Sequence, residues 1–132
     1  MNSDKYDFKL ESPLVEEFLN LRNKVGWGEL EFNLAQTSLN NSLFHVTVRD
    51  KSVLIGMGRI VGDGAMYFYI QDVIVDPSYQ GTGVGSILMD HIENYLSVAA
   101  QKGSTVGLLA AKGKEDFYIR YDYMLRPSNT LG

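Results

Sequence analysis

The run Asp76-Pro77-Ser78-Tyr79-Gln80-Gly81-Thr82-Gly83-Val84-Gly85-Ser86 joins an apolar stretch, Val73-Ile74-Val75, to a helical pattern through three alternate glycines. Pro77 ends the preceding strand by removing a backbone donor. Residues without side chains let backbone N–H groups crowd around an anion. A helix N-terminus adds unpaired N–H groups and the positive end of its dipole. A phosphate-bearing ligand is therefore expected at a strand-to-helix turn. Spacing argues against two such cradles. A P-loop requires G-x-x-x-x-G-K-[ST], but Ser86-Ile87 follows Gly85 and no lysine is near. A dinucleotide fingerprint requires G-x-G-x-x-G opening a βαβ unit, with an acid about 20 residues on. Here the spacing is G-x-G-x-G, and Thr105 stands at that distance.

The rest of the chain narrows the chemistry. A length of 132 residues predicts one domain, 1–132, large enough for a core and too small for two. The sequence has no apolar stretch of membrane-spanning length, and Met1-Asn2-Ser3-Asp4-Lys5 lacks the basic, then apolar, start of a signal peptide. A cytoplasmic location without membrane contact is expected. The absence of cysteine excludes disulfides, thiolate metal sites and cysteine nucleophiles. His45 lies on a predicted strand and His91 on a predicted helix, with no second ligand at metal-binding spacing, so no metal is expected. A net charge of −4 with no Lys/Arg cluster argues against nucleic acid and tolerates a cationic acceptor such as an amine.

Periodicity supplies the order of elements. Ser12-Pro13 reads as a helix start, and Leu14, Phe18, Leu21 and Val25 recur at helical spacing, predicting a helix over 12–25. Gly26-Trp27-Gly28 breaks it, and a shorter helix over 33–40 follows. Trp27 fits either an anchor for its loop or a specificity surface. Phe44, Val46 and Val48 then alternate with His45 and Thr47 up to the turn Asp50-Lys51-Ser52. Val53 to Val61 is the antiparallel partner, and Gly62-Asp63-Gly64 is a hairpin signal leading into Ala65 to Val75. An amphipathic helix is predicted over 86–100, a short strand over 106–110 parallel to 65–75, and a last helix over 114–121. The fold class is mixed α/β, an antiparallel meander followed by a parallel pair with flanking helices.

Gln80-Gly81-Thr82-Gly83-Val84-Gly85 resembles, position for position, the Q/R-x-x-G-x-G/A signature of the Gcn5-related N-acetyltransferases (GNAT). The element order is also that family's, and the similarity is densest from about Phe44 to Pro127. Ile70-Gln71-Asp72-Val73-Ile74-Val75 is similar to the strand that pairs with the pantetheine arm, and Phe117-Tyr118-Ile119-Arg120-Tyr121-Asp122-Tyr123 to the family's F-Y-x-x-x-G-F. Leu21-Arg22 and Gly26-Trp27 resemble a small-enzyme subgroup. The resemblance implies acetyl-CoA as cosubstrate. Gln80, Gly81, Thr82, Gly83, Val84, Gly85 and Ser86 would hold its pyrophosphate, and Val73, Ile74 and Val75 would line its pantetheine arm. Asp122 and Tyr123 depart from the usual Gly and Phe. An asparagine common before the last helix has no counterpart in Ala111-Lys112-Gly113-Lys114. The chain stops at Gly132, so a homodimer is expected to cover the sheet edge.

Acetyl transfer to an alkylamine, with a pKa of roughly 10.4, must overcome about 4–5 kcal/mol of protonation at pH 7. Asp72 is the candidate base. Strict alternation places it on the same face as Phe68, Ile70 and Ile74, where a carboxylate is costly unless the strand bulges or the site uses it. A structural aspartate at a bulge and a group that orients the amine are the competing roles. Tyr118 stands in the family's position for protonating or stabilising the leaving thiolate. Backbone amides near Val73 and Val75 would serve the carbonyl and the pantetheine if the parallel strands splay there. The expected function is acetyl transfer to a primary amine of a small molecule, an amino sugar or a polyamine among them, by direct attack. A CoA-binding sensor or scaffold without turnover, and a protein or peptide acetyltransferase, fit the same residues.

Overall fold

A computed structural model describes residues 5–110 and 113–125. The expectations drawn at Ala111-Lys112 and at the chain end near Gly132 lie outside the described residues.

Helices and strands follow in the order β1 (Asp7–Lys9), α1 (Val15–Lys24), α2 (Phe32–Asn40), β2 (Phe44–Asp50), β3 (Val53–Gly62), β4 (Tyr67–Val75), α3 (Val84–Ala99), β5 (Thr105–Leu108) and α4 (Glu115–Ile119). The strands form one sheet in the order β1-β2-β3-β4-β5, antiparallel except for the parallel β4–β5 pair. This is the mixed α/β architecture that the periodicity predicts. Strand β1 is the element that periodicity misses, since three residues carry no readable alternation. Helix α1 starts later than expected. Its first turn is closed by Glu17, whose carboxylate accepts the Leu14 N–H at 2.9 Å, rather than by Ser12. The hairpin after β3 forms as expected, with Asp63 accepting three backbone N–H groups, from Ala65, Met66 and Tyr67, at 2.9 Å each.

The sheet is buried on both faces. Leu88, Met89, Ile92 and Leu96 of α3 meet Val46, Val48, Ile60, Phe68 and Ile70 on one side. Val15, Phe18 and Leu21 of α1 and Ala35 and Leu39 of α2 meet Leu54, Met57 and Ile74 on the other. Each fully buried side chain of this size stabilises the fold by about 1.5–3 kcal/mol. Phe68 and Ile70 thus lie on the α3 face and Ile74 on the opposite one, which corrects the single face expected from strict alternation. The reason is a bulge: Arg59 pairs with Gln71 and Met57 with Ile74, so Gly58 opposes both Asp72 and Val73. Asp72 takes φ +55°, and from Asp72 onward every side chain changes face, Asp72 itself turning to the α1 and α2 side.

Glycines let α3 and β2 approach β3. A Cβ on Gly56 would lie 2.8 Å from Val48 Cγ1 and 3.2 Å from the Ile74 carbonyl oxygen, and neither the β-branched side chain nor the backbone can retreat cheaply. Gly56→Ala should therefore destabilise the fold by about 1–3 kcal/mol, net of any gain from the unfolded state. Chemical denaturation at equilibrium measures this, and an unchanged midpoint would show that the β2–β3 contact has slack.

Candidate active site

Pairing between β4 and β5 runs from Tyr67↔Thr105 to Ile70↔Leu108 and stops. Past that point the two strands part, and Gln71 to Val75 line one side of a cleft of about 720 Å³ whose other side includes Leu108, Leu109 and Ala110. The splay expected between the parallel strands is therefore present. Its position follows from the bulge, because β4 changes course at Asp72, one residue after Gln71 opposes Arg59.

The Asp72 side chain does not face the cleft as a free base. It is 4% exposed, and one carboxylate oxygen accepts a hydrogen bond from Arg59 Nε at 2.7 Å while the other is 3.4 Å from Arg22 Nη1. Arg59 is held in turn at the C-terminal end of α2. Its Nη1 donates to the Ser38 carbonyl and the Ser42 hydroxyl, and its Nη2 to the Ser38 hydroxyl, at 2.9–3.0 Å. A left-handed φ at a non-glycine residue costs about 1–3 kcal/mol and persists only when its surroundings enforce it. Two guanidinium groups on one carboxylate supply that enforcement. The sequence carried a signal for Arg59, a lone charge inside the apolar strand Val53 to Val61.

Beyond β4 the chain turns through Pro77–Tyr79, where Asp76 accepts the Ser78 N–H at 2.9 Å and pairs with Lys24 at 3.0 Å. Burial works against the charge on Asp76, but the Ser78 amide and Lys24 together hold its carboxyl below the usual range. The Tyr79 hydroxyl donates to Asp50 at 2.6 Å, a bond that pushes the phenol up to about 12 and ties the turn to the end of β2. Gly81 and Gly83 then take φ +77° and +90°, and no described atom lies within 4 Å of a Cβ built on Gly81. Gly83 caps α3, and the first intrahelical bond is Ile87 N–H to its carbonyl. The amides of Val84, Gly85 and Ser86 thus have no helical acceptor.

The structure brings most of the expected residues together. Val73, Ile74, Val75, Gln80, Gly81, Gly83, Gly85, Ser86, Asp72 and Tyr118 all line the one cleft. Thr82 and Val84 do not: the Thr82 hydroxyl donates to the Tyr79 carbonyl, and Val84 is buried in the α3 core. Gln80 donates to the Val75 carbonyl at 3.1 Å. Gly85 lies inside α3, where a Cβ would meet Phe117 and Val75 at ordinary contact distances of 3.7–3.8 Å. Tyr118 is half-buried on α4, and burial pushes its phenol up. Asp122 takes φ +67°, the conformation that glycine would supply there, so the turn survives the substitution. Sequence reasoning gave no role to Gln71, Lys114 and Arg120, which also line the cleft. No helix among the described residues is long and apolar enough to cross a membrane.

Residues 40–125 match the acetyltransferase (GNAT) domain. A ycf52-like protein of Prochlorococcus marinus, named an uncharacterized N-acetyltransferase, is 31% identical over 96% of this chain and 73% of its own length. The histone acetyltransferase TAP1 of Glycine max is 29% identical, over 89% of this chain and 55% of its own. Among solved structures, the probable acetyltransferase SA2161 from meticillin-resistant Staphylococcus aureus superposes with a TM-score of 0.89 at 34% identity, covering 96% of each chain. The GNAT family protein SP0256 from Streptococcus pneumoniae gives 0.73 at 29% identity, over 91% of this chain and 88% of that one. With a domain match across most of its length and a cleft at the parting of its parallel strands, the chain belongs to the Gcn5-related N-acetyltransferases, a family of acetyl-CoA-dependent enzymes.

Proposed function

We propose that the protein acetylates the primary amine of a small molecule in this cleft by direct attack on the acetyl thioester. The observation that carries the reading is the meeting, on one cleft, of an unpaired β4 edge, a helix N-terminus fronted by positive-φ glycines, and Tyr118. These features fit acetyl-CoA. The open space around Gly81 and the unpartnered amides at the start of α3 suit a pyrophosphate, and the backbone of Val73 to Val75 suits the amides of a pantetheine arm. Lys114 and Arg120 add positive charge on the α4 side. When bound, acetyl-CoA supplies an activated acyl group with a thiol leaving group.

The chain's own residues then have separable tasks. An acceptor ammonium first loses one proton to solvent. As its nitrogen bonds to the acetyl carbon, the carbon–sulfur bond breaks, and the second proton lost from nitrogen balances the one gained by sulfur. The Tyr118 phenol, pushed up by burial, keeps its proton at neutral pH and is assigned to the leaving sulfur. Asp72 is assigned to holding the bulge, since taking the amine's proton would disrupt contacts to two guanidinium groups. The outer edge of β5, unpaired among the described residues, is where a second copy would add to the sheet. One observation favours a second reading. A relative bears the name histone acetyltransferase, so a protein amine is the other acceptor class.

Release of free thiol from acetyl-CoA in the presence of an amine panel tests the reading. Amine-dependent release is expected. Acetyl-CoA binding without release on any amine would leave a CoA sensor instead. Tyr118→Phe should retain acetyl-CoA binding while turnover falls, on the scale of about 10²–10⁴-fold for general-acid groups. Unchanged single-turnover rates would return Tyr118 to a packing role. Gly83→Val must force a β-branched residue into φ +90° and should abolish the thermal stabilisation by acetyl-CoA, about 2.7 kcal/mol at 100 times the dissociation constant. A folded variant with wild-type affinity would sink the glycine cradle.

A further inference from the structure

The β4-bulge end of the cleft carries Gln71 and Asp72, and Trp27, which also lines the cleft, is tied to that end through Arg22, whose guanidinium contacts both Asp72 and the Trp27 carbonyl. If the loop holds the pyrophosphate, this end receives the acceptor, an assignment that rests on the proposed acetyl transfer. Its one carboxylate is not available to an ammonium group. Asp72 is shared by Arg59 and Arg22, and this trio carries one positive charge in excess. Arg22 Nε is buried with no hydrogen-bond partner. The other ionised groups lining the cleft are Lys114 and Arg120, both cations, and no second carboxylate lines it among the described residues.

Beside Gln71 and Asp72 the wall includes the Trp27 indole, and this residue is held in place. Trp27 is 37% exposed between Gly26 and Gly28, which take φ +78° and +80°. Arg22 fixes it three ways: the Trp27 N–H donates to the Arg22 carbonyl at 3.0 Å, the Trp27 carbonyl accepts from Arg22 Nη2 at 3.1 Å, and the guanidinium stacks 5.5 Å from the indole. The same guanidinium contacts Asp72, so the indole is registered against the β4 bulge. Leu109, on the β5 side of the cleft, is 86% exposed. An indole backed by a guanidinium, on a backbone held at both its N–H and its carbonyl, offers contact area at a low cost in side-chain entropy.

We infer that Trp27 is a specificity residue and that the acceptor is a monoamine with an apolar or aromatic body, docked on the indole. Polycationic acceptors find no free carboxylate among the described residues lining the cleft, and are discriminated against. The cleft selects its substrate by the group attached to the amine rather than by a charge that grips the ammonium.

Acetylation of 2-phenylethylamine, spermidine, glucosamine 6-phosphate and a lysine peptide by wild-type protein, Trp27→Ala and Trp27→Phe tests this. Wild type should prefer 2-phenylethylamine in kcat/KM. Trp27→Ala should raise its KM about fivefold or more while the KM for acetyl-CoA stays unchanged, and Trp27→Phe should recover most of the loss. Preference for spermidine, the sugar phosphate or the peptide would overturn the inference, as would an unchanged amine KM in a folded Trp27→Ala. If the alanine variant does not fold, the wild-type preference decides alone. Acetyl-CoA binding with no turnover on any of the four would overturn the inference and the proposed function together, whereas turnover with the wrong preference removes the inference only.

Discussion

The buried pair between Asp72 and Arg59 is the contact on which the cleft depends. It joins two antiparallel strands at the place where their register breaks, and it fixes Asp72 in a backbone conformation that an ordinary strand residue avoids. Removing one partner of such a pair leaves a buried charge without compensation and costs about 3–5 kcal/mol, far more than a surface pair. Arg59 cannot simply swing to solvent, because three further bonds hold its guanidinium at the end of α2. Helix α2 therefore supports a strand whose opposite edge bounds the cleft. The second cation, Arg22, adds α1 and the Trp27 loop to the same cluster.

That cluster links the two ends of the chemistry. At the bulge, β4 changes face and direction, its pairing with β5 ends, and Val73 and Val75 turn toward the α3 side. One turn later the chain reaches Gly81 and Gly83 and the N-terminus of α3. The helix is held close to the sheet because Gly56 and Gly58 leave room for Leu88 and Ile92. On the far side α4 is tied to α3 by the Tyr121 hydroxyl, which donates to the Ser86 carbonyl at 3.3 Å, and by Tyr123, which donates to Glu93 at 2.8 Å. Tyr118 thus reaches the cleft on a five-residue helix that its neighbours, rather than its own length, hold in place.

Much of this was legible in the sequence because it is periodic or punctuated. The glycine run placed the turn from β4 into α3, and the alternation in Phe44 to Val48 and the helical spacing of α1 gave the elements their order. Strand β1 was not legible, being too short to show alternation. The face of Ile74 was misread because a bulge resets parity without changing composition. Asp72 was singled out for the right physical reason, a carboxylate at an inward position, but its partners lie 13 and 50 residues away and no local pattern points to them. Trp27 needed the same information: its Arg22 anchor is visible in sequence, whereas its neighbours across the cleft are not.

The most direct measurement pairs acetyl-CoA affinity with the pH–rate profile in Asp72→Asn. If Asp72 holds the bulge, the neutral amide leaves the buried Arg59 and the partly buried Arg22 without their anion. Stability and acetyl-CoA affinity should then fall together, while the residual turnover keeps the wild-type dependence on pH from about 6 to 10. A variant with normal melting temperature and normal affinity, inactive at neutral pH and recovering as the amine deprotonates unaided, would contradict the account and return Asp72 to the role of base.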